Sequence, residues 1–340
     1  MRHNSQNANC QSPPALCVQG FKSPLNDPQS PAGGFVKMQA FAKINLFLEV
    51  LGKRPDGYHN LVSIMQAIDL HDDLIFSFDD ENEENICDKG GNIRLVCDND
   101  VVDMPTDDSN LIVKAAKVLV NEFNIRQNLK INLTKRIPMG AGLAGGSSDC
   151  AATLRGVNQL LQLNIPNKRL LEIAKTLGAD VPFCLTGGTA LTKGIGEKIT
   201  MLPPHPSCYI MLACPKIHIS TAEIFSRLAP LLTPLKDSCS GGSKLVSVEG
   251  AVNAIHSRDI SRIASSFYNV FTPITAGIHP EIQDLISEMI SLGAIGASMT
   301  GTGSAVFGYF ENENIAGAAF KKIQKHIANT FVCKPISRED

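Results

Sequence analysis

A glycine-rich segment at residues 138–148 constrains the fold more than any other feature of this sequence. It reads Pro-Met-Gly-Ala-Gly-Leu-Ala-Gly-Gly-Ser-Ser and follows a strand-like alternation at residues 130–136. Beyond it, apolar side chains recur at helical spacing, at Cys150, Leu154, Val157 and Leu161. The pattern predicts a strand, a glycine-rich loop and a helix that begins near Ser147 or Ser148.

This arrangement is suited to binding an anion. Glycines let the backbone approach a ligand closely, and a helix start contributes unpaired N–H groups and the positive end of its dipole. The segment is not a Walker A loop, because no Gly-Lys-Ser/Thr ends it. It also lacks the acidic residue that completes a dinucleotide fingerprint. A flexible turn is the alternative, and the preceding strand favours a phosphate-binding loop.

Composition excludes several classes of function. The 340 residues carry a formal net charge of −2 and no run of lysines and arginines, so a nucleic-acid partner is not expected. No apolar stretch approaches the roughly 20 residues that a membrane span needs. Ten cysteines without a C-x-x-C pair or a secretory signal indicate reduced thiols and a cytoplasmic location. The histidine spacings predict no zinc site.

The chain divides into a tail and two expected domains. Residues 1–37 are rich in Pro, Ser, Asn and Gln and predict a disordered extension, so Met38 is an alternative start codon. Prolines 203, 204 and 206 mark a connection, which predicts an N-terminal domain at 38–198 and a C-terminal domain at 199–340. An acidic stretch at 79–88 and a Ser/Gly-rich insert at 238–250 are expected to be surface segments.

Several shorter elements can also be predicted. Ser109 is the expected N-cap of a helix that contains Leu111, Ala115, Val118 and Leu119. Towards the end of the chain we expect a helix at 280–292, a loop at 299–304, a strand at 305–310, a helix from about Ile315 and a strand near Phe331.

Two polar residues stand out from apolar surroundings. Residues 43–50 alternate with a period of two, which predicts a strand with one buried face and places Lys43 and Asn45 on the same side. Asp180 follows Gly178, the expected end of a helix. Taken alone, Lys43 could be a snorkelling edge lysine and Asp180 a cap or turn residue. A carboxylate and a cation are nevertheless what phosphoryl transfer to a hydroxyl requires.

Three segments together resemble the GHMP kinase superfamily: residues 42–46, residues 138–148 and residues 299–307. A Gly-Tyr-His sequence at 57–59 adds to the likeness, which extends from Met38 to the C-terminus. The resemblance implies an α+β fold of two domains, with ATP bound by the first, the substrate by the second and the active site in the cleft. It implies ATP as co-substrate with Mg²⁺, for which no protein ligand can be assigned, and a monomer or weak homodimer.

The resemblance also implies roles for individual residues. Asp180 corresponds to the catalytic base and Lys43 to the lysine that keeps it ionised and stabilises the transferring charge. The implied ATP-binding residues are Pro138, Met139, Gly140, Ala141, Gly142, Leu143, Ala144, Gly145, Gly146, Ser147 and Ser148, with Asn110, Leu111 and Lys135 near the adenine. The implied substrate-binding residues are Asn45, Tyr58, His59, Thr221 and Phe225, of which His59, Tyr58 and Phe225 would recognise a cytosine by hydrogen bonding and stacking.

The sequence departs from the family pattern at three positions. Ala144 replaces a usual glycine, which is tolerable if its φ is negative and otherwise would crowd the phosphates. Thr300 and Thr302 replace serines and keep the hydroxyl groups. Two alternatives remain at this point: another GHMP kinase that acts on a mevalonate-type, homoserine or sugar substrate, and a non-catalytic binding protein on the same fold.

Overall fold

The computed structural model describes residues 34–79, 91–98, 104–228 and 247–337. Residues 1–33 of the predicted tail, all but Asp79 of the acidic stretch and residues 238–246 of the Ser/Gly-rich insert lie outside these ranges. The first strand begins at Phe35, three residues before Met38, so the expected start of ordered structure was too late.

The described residues form eleven strands and ten helices. The strands are β1 (Phe35–Lys53), β2 (His59–Phe78), β3 (Ile93–Cys97), β4 (Leu129–Thr134), β5 (Thr189–Gly194), β6 (Lys198–Met201), β7 (Tyr209–Ala213), β8 (Tyr268–Asn269), β9 (Gly296–Met299), β10 (Val306–Phe310) and β11 (Thr330–Cys333). The helices are α1 (Leu111–Glu122), α2 (Gly145–Leu160), α3 (Asn167–Leu177), α4 (Val181–Thr186), α5 (Thr221–Leu228), α6 (Val248–Ser257), α7 (Ile260–Ser265), α8 (Thr272–Ile278), α9 (Glu281–Ser291) and α10 (Glu313–Ile323).

The first sheet is built on the long antiparallel hairpin of β1 and β2. The turn that joins these strands includes Gly57 at a φ of 89°, a conformation that favours glycine. The strand order is β3-β4-β2-β1-β8, while β5 pairs with β2 and β6 with β5. Register shifts in β1 lie just before Lys43 and just after Asn45, so the polar segment sits between two irregularities.

The second sheet is antiparallel and has the order β11-β7-β10-β9. Its strands come from the second half of the chain, and every residue of β7 except Tyr209 is buried. One short strand of this half, β8, instead pairs in parallel with β1 at Phe47 and Leu48. The second half thereby reaches the strand that carries Lys43. The domain boundary near 198 stays a prediction.

Helix α2 packs on the first sheet and fixes the glycine-rich loop. Gly156 is in contact with the strand surface, since a Cβ there would lie 2.3 Å from the ring of Phe76. The helix begins at Gly145, earlier than the predicted Ser147 or Ser148. Ser148 is buried instead, and its hydroxyl donates to the carbonyl of Phe41 on β1 at 2.6 Å.

Helix α1 is capped differently from the prediction. Asn110, not Ser109, is its N-cap and accepts from the N–H of Ile112 at 2.8 Å. The Ser109 hydroxyl donates to Asp107 in the preceding turn, which leaves the capping position to the next residue. The predicted late elements are present as α9, β10, α10 and β11.

Candidate active site

The glycine-rich loop presents a continuous series of free backbone donors. Gly140, Gly142 and Ala144 have φ values of 68°, 80° and 57°. Within the described residues, none of the N–H groups from Ala141 to Ser147 donates to a protein oxygen. Together with the N-terminus of α2, these groups are suited to binding an anion.

Ala144 lacks the negative φ that would make an alanine tolerable at this position. Its φ is positive, so the residue is in the left-handed region that L side chains rarely occupy. It stands at the N-cap of α2 and makes no side-chain cap. The alanine is therefore held in a strained conformation at the centre of the loop.

Two distant glycine loops meet behind this site. A Cβ on Gly142 would lie 2.4 Å from the carbonyl oxygen of Thr300, and one on Gly301 would lie 3.0 Å from the Cα of Gly142. The N–H of Ala305 also donates to the carbonyl of Ala141 at 3.1 Å. The close approach requires glycine at both positions, which is why the loop at 138–148 and the motif at 299–307 both need it.

Lys43 is buried in the middle of this contact. Only 5% of its side chain is exposed. Its Nζ donates to Asn45 Oδ1 at 2.7 Å and to the carbonyl of Gly142 at 2.9 Å, and lies 3.8 Å from Asp180 Oδ2. The alternative of a snorkelling edge lysine is wrong, because the ammonium points inward to three oxygens.

Asp180 stands at the N-cap of α4 without acting as a side-chain cap. Pro182 lies in the first turn of this helix, and the chain before it turns at Gly178, the C-cap of α3. The Asp180 side chain is 31% exposed. Its carboxylate is therefore near the lysine and accessible to a ligand, as a general base must be.

Asn45 is placed differently from the prediction. It lies on the same side of β1 as Lys43, as the period of two requires. The residue is only 2% exposed, however, and its Oδ1 accepts from Lys43, Thr300 and Gly301 while its Nδ2 donates to Ser63. Asn45 thus supports Lys43 rather than facing a ligand. The segment around Asn45 is buried on both faces of β1, because the two glycine loops cover its polar side. The prediction that this strand buries only one face was therefore wrong.

Lys135 is likewise committed to the protein interior. Its Nζ contacts Asp72 Oδ2 and lies 2.8 Å from Asp149 Oδ2, and all three residues are buried. Burial alone lowers the pKa of Lys135, but the two carboxylates outweigh this and raise it. Burial also raises the pKa of Asp149 to about 7, against the opposing effect of Lys135. An ammonium shared by two carboxylates supports the loop from below and is not placed as an adenine neighbour.

The other two implied adenine neighbours, Asn110 and Leu111, are adjacent residues at the start of α1. Leu111 Cδ1 is 3.9 Å from the position of a Cβ on Gly146, whereas the Asn110 side chain is used for capping α1. Met139 is 49% exposed. A cavity of about 330 Å³ lies between residues 138–141 and the segment at 214–218, with Asn329 at its edge.

The implied cytosine site is only partly assembled. The rings of His59 and Phe225 have centroids 4.9 Å apart, which is a direct contact and leaves no space for a base between them. Phe225 packs on Phe271, which the sequence did not single out. Burial, with a smaller effect of Lys53, lowers the pKa of His59, and its Nε2 has no hydrogen-bond partner among the described residues.

Tyr58 and Thr221 flank this pair in different ways. Tyr58 is 61% exposed and, in the described part of the chain, its ring has no aromatic neighbour. Thr221 begins α5, and its hydroxyl lies 3.2 Å from that of Thr302. The two threonine substitutions in the last motif thus both use their hydroxyl groups.

Three supporting residues were missed from sequence: Thr300 as a partner of Asn45, and Asp72 and Asp149 as partners of Lys135. Asp149 directly follows the loop serines and starts an apolar helix face, which is a weak signal of a buried charge. Asp72 and Thr300 gave no local signal, since their partners are 63 and 255 positions away.

The six cysteines that the structure describes are all free thiols. No helix in the described ranges is long and apolar enough to cross a membrane. These ranges also contain no group of three or more His, Cys, Asp or Glu side chains arranged to hold a metal ion.

Comparison with known proteins identifies the family. The GHMP kinases N terminal domain matches residues 110–188 and the GHMP kinases C terminal domain matches residues 251–329. A 4-diphosphocytidyl-2-C-methyl-D-erythritol kinase from Acetivibrio thermocellus is 38% identical over 301 residues, covering 88% of this chain and 99% of that protein.

Comparison with solved structures supports the same family. The crystal structure of a 4-(cytidine 5'-diphospho)-2C-methyl-D-erythritol kinase has a TM-score of 0.71 at 27% identity, covering 89% of this chain and all of that one. A homoserine kinase from Cytophaga hutchinsonii, with a TM-score of 0.69 at 21% identity over 92% of this chain and 98% of that one, shares the fold. The predicted α+β fold of two GHMP kinase domains is confirmed, and the chain belongs to the GHMP kinase family, in the group of the 4-diphosphocytidyl-2-C-methyl-D-erythritol kinases.

Proposed function

We propose that the chain transfers the γ-phosphoryl group of ATP to the 2-hydroxyl of 4-diphosphocytidyl-2-C-methyl-D-erythritol. The products are the 2-phosphate and ADP, and the reaction is a step of the non-mevalonate route to isopentenyl diphosphate. The observation that carries the proposal is the position of the buried Lys43 ammonium, 3.8 Å from the accessible Asp180 carboxylate and 2.9 Å from the phosphate loop.

Each part of this constellation has a chemical role. Asp180 accepts the proton of the attacking hydroxyl, a contribution of about 10²–10⁴ in rate for general bases. Lys43 stabilises the charge that develops between this carboxylate and the transferring group. The free N–H groups of residues 141–147 hold the ATP phosphates.

Magnesium is expected with ATP. Mg²⁺ keeps several waters and is commonly held by substrate phosphates with only one or two protein ligands, so a dedicated cluster of carboxylates is not required. The ion would neutralise charge on the phosphates. The Ser147 hydroxyl lies at the start of α2 and has no hydrogen-bond partner among the described residues, and we propose that it would assist in holding the ion.

Specificity for the cytidyl group is assigned to His59 and Phe225. His59 offers an unpartnered Nε2 to a base edge, and its lowered pKa favours the neutral ring. The two rings contact each other, so we infer that a base stacks on the outside of the pair or separates the rings on binding. Tyr58 is exposed beside them and is proposed to cover the bound base.

An ADP-release assay over a panel of acceptors tests the proposal. We expect turnover with 4-diphosphocytidyl-2-C-methyl-D-erythritol and none above background with mevalonate, homoserine or galactose. Turnover with one of the latter and none with the cytidyl substrate would overturn the assignment.

A further inference from the structure

Thr300 connects the last glycine loop to the strand that carries Lys43. The residue follows β9, and its side chain is completely buried. Its Oγ1 accepts from the backbone N–H of Asn45 at 3.0 Å, and its single proton has two acceptors in reach, Asn45 Oδ1 at 3.1 Å and the Gly142 carbonyl at 3.4 Å. The single hydroxyl therefore contacts Asn45 at both the main chain and the side chain.

Asn45 in turn holds the lysine. Its Oδ1 accepts from Lys43 Nζ at 2.7 Å and from the N–H of Gly301 at 3.0 Å, besides the threonine hydroxyl. Its Nδ2 donates to the Ser63 hydroxyl at 2.9 Å. Because an ammonium and a backbone N–H can only donate, the amide oxygen must face Lys43.

This support matters because the lysine is not in close contact with Asp180. Lysine has a flexible stem, and an ammonium is attracted to a nearby carboxylate. In the structure Nζ remains 3.8 Å from Asp180 Oδ2, while its two shorter contacts are with Asn45 and Gly142. Those two oxygens keep the cation between the carboxylate and the phosphate loop.

We propose that Thr300 is a positioning residue for phosphoryl transfer, because its hydroxyl anchors both the main chain and the side chain of Asn45, the residue that holds Lys43 in place. The inference rests on the proposed role of Lys43. Without the hydroxyl the Asn45 side chain loses one of its four partners and the Asn45 backbone N–H loses an acceptor. This part of β1 can then shift, and the Lys43 ammonium moves towards Asp180 and away from the transferring phosphoryl group. A displacement of about 1 Å in a catalytic group can reduce a rate about 100-fold.

A simpler role would be to anchor the loop. The structure supplies a matched control, since Thr275 on α8 is also fully buried and donates to the carbonyl of Thr302 in the same loop at 3.2 Å. Among the described residues, no hydrogen bond joins its hydroxyl to Lys43 or Asn45. If the hydroxyls only anchor the loop, loss of either one should loosen it. Misplacement of Lys43, in contrast, should follow only from loss of the Thr300 hydroxyl.

The test compares Thr300→Val, Thr300→Ala and Thr300→Ser with Thr275→Val in the full chain. We expect Thr300→Val and Thr300→Ala to lower kcat about 10- to 100-fold, with the KM for ATP and for the cytidyl substrate within about threefold of wild type. Thr300→Ser should restore kcat to within about threefold. Thr275→Val should lower the urea midpoint comparably and keep kcat. An unchanged kcat in both Thr300→Val and Thr300→Ala, failure of serine to rescue, or an equal loss in Thr275→Val overturns the inference.

A double-mutant cycle separates the route through the lysine from other effects. In a Lys43→Met background, Thr300→Val should not reduce the residual rate further, and an additional tenfold loss would contradict the inference. The proposed function is tested separately, by the acceptor specificity of the wild-type protein. If wild type prefers another acceptor, the substrate assignment fails, and the same variants measured with that acceptor still decide the role of Thr300. If no acceptor is turned over, both proposals fail.

Discussion

Replacement of Lys135 by methionine gives a quantitative test of the buried charges beneath the phosphate loop. The change keeps an apolar stem and removes the ammonium that Asp72 and Asp149 share. Removing one partner of a buried ion pair typically costs about 3–5 kcal/mol, because an uncompensated charge remains. Asp72 keeps the N–H groups of Arg136 and Ile137, whereas Asp149 Oδ1 has no partner among the described residues, so the part of the cost that varies with pH should come from Asp149.

The loss should depend on pH. The pKa of Asp149 is already raised to about 7 in the folded protein, and removal of Lys135 raises it further. Below pH 7 the folded state of both proteins holds a proton on Asp149, so this difference is absent there. Above pH 7 wild type ionises and the variant does not, and the deficit grows by up to about 1.4 kcal/mol per pH unit.

Urea unfolding of wild type and Lys135→Met at pH 6 and pH 8 measures both effects. Arg136→Met is the matched control, because Arg136 is the next residue and forms a half-exposed pair with Asp73, which should contribute less than about 1 kcal/mol. If Lys135→Met unfolds within about 1 kcal/mol of wild type while its KM for ATP rises tenfold, the lysine is a nucleotide ligand and the reasoning is refuted.

Three further predictions follow from individual residues. Asp180→Asn should keep ATP and substrate binding, measured by calorimetry, and lose about 10²–10⁴ of kcat; unchanged turnover would remove Asp180 from the mechanism. Ala144→Gly should raise the free energy of unfolding by about 0.5–1 kcal/mol, because it relieves the left-handed strain of about 1–2 kcal/mol at some cost in chain entropy; a lower urea midpoint would contradict this. Burial lowers the pKa of His205 to about 4 in the folded protein. Between about pH 6.5 and pH 4 the unfolded state therefore binds a proton that the folded state does not. The free energy of unfolding should be highest above about pH 6.5 and fall by as much as about 3 kcal/mol towards pH 4. His205→Gln should lose that slope in urea titrations, and an identical slope would show that other groups cause it.

Local patterns in the sequence were sufficient to predict the strand, loop and helix that carry the site. The alternation at residues 43–50 placed Lys43 and Asn45 on one side of a strand, and their side chains are in fact hydrogen-bonded at 2.7 Å. The glycine-rich loop and the helix after it were also predicted, because each depends on neighbouring residues. The starts of these elements were less accurate, since caps depend on which side chain reaches the first turn, as at Asn110.

Roles that depend on distant partners could not be derived locally. The alternation at residues 130–136 gives no sign that Lys135 is buried. Its ammonium nevertheless lies in the interior, where it pairs with Asp72 on β2 and Asp149 on α2. Asn45 was expected to be free for a ligand, but a loop about 255 positions later occupies its oxygen. The contact of His59 with Phe225 depends on how β2 and α5 meet, which periodicity does not determine.

The position of the transferred phosphate tests the central claim most directly. Wild type is incubated with ATP, Mg²⁺ and 4-diphosphocytidyl-2-C-methyl-D-erythritol, and the products are examined by phosphorus and carbon NMR. The account predicts stoichiometric ADP and a new phosphomonoester coupled to the carbon that bears the 2-hydroxyl. ADP without a new ester, or an ester at another hydroxyl, would contradict it.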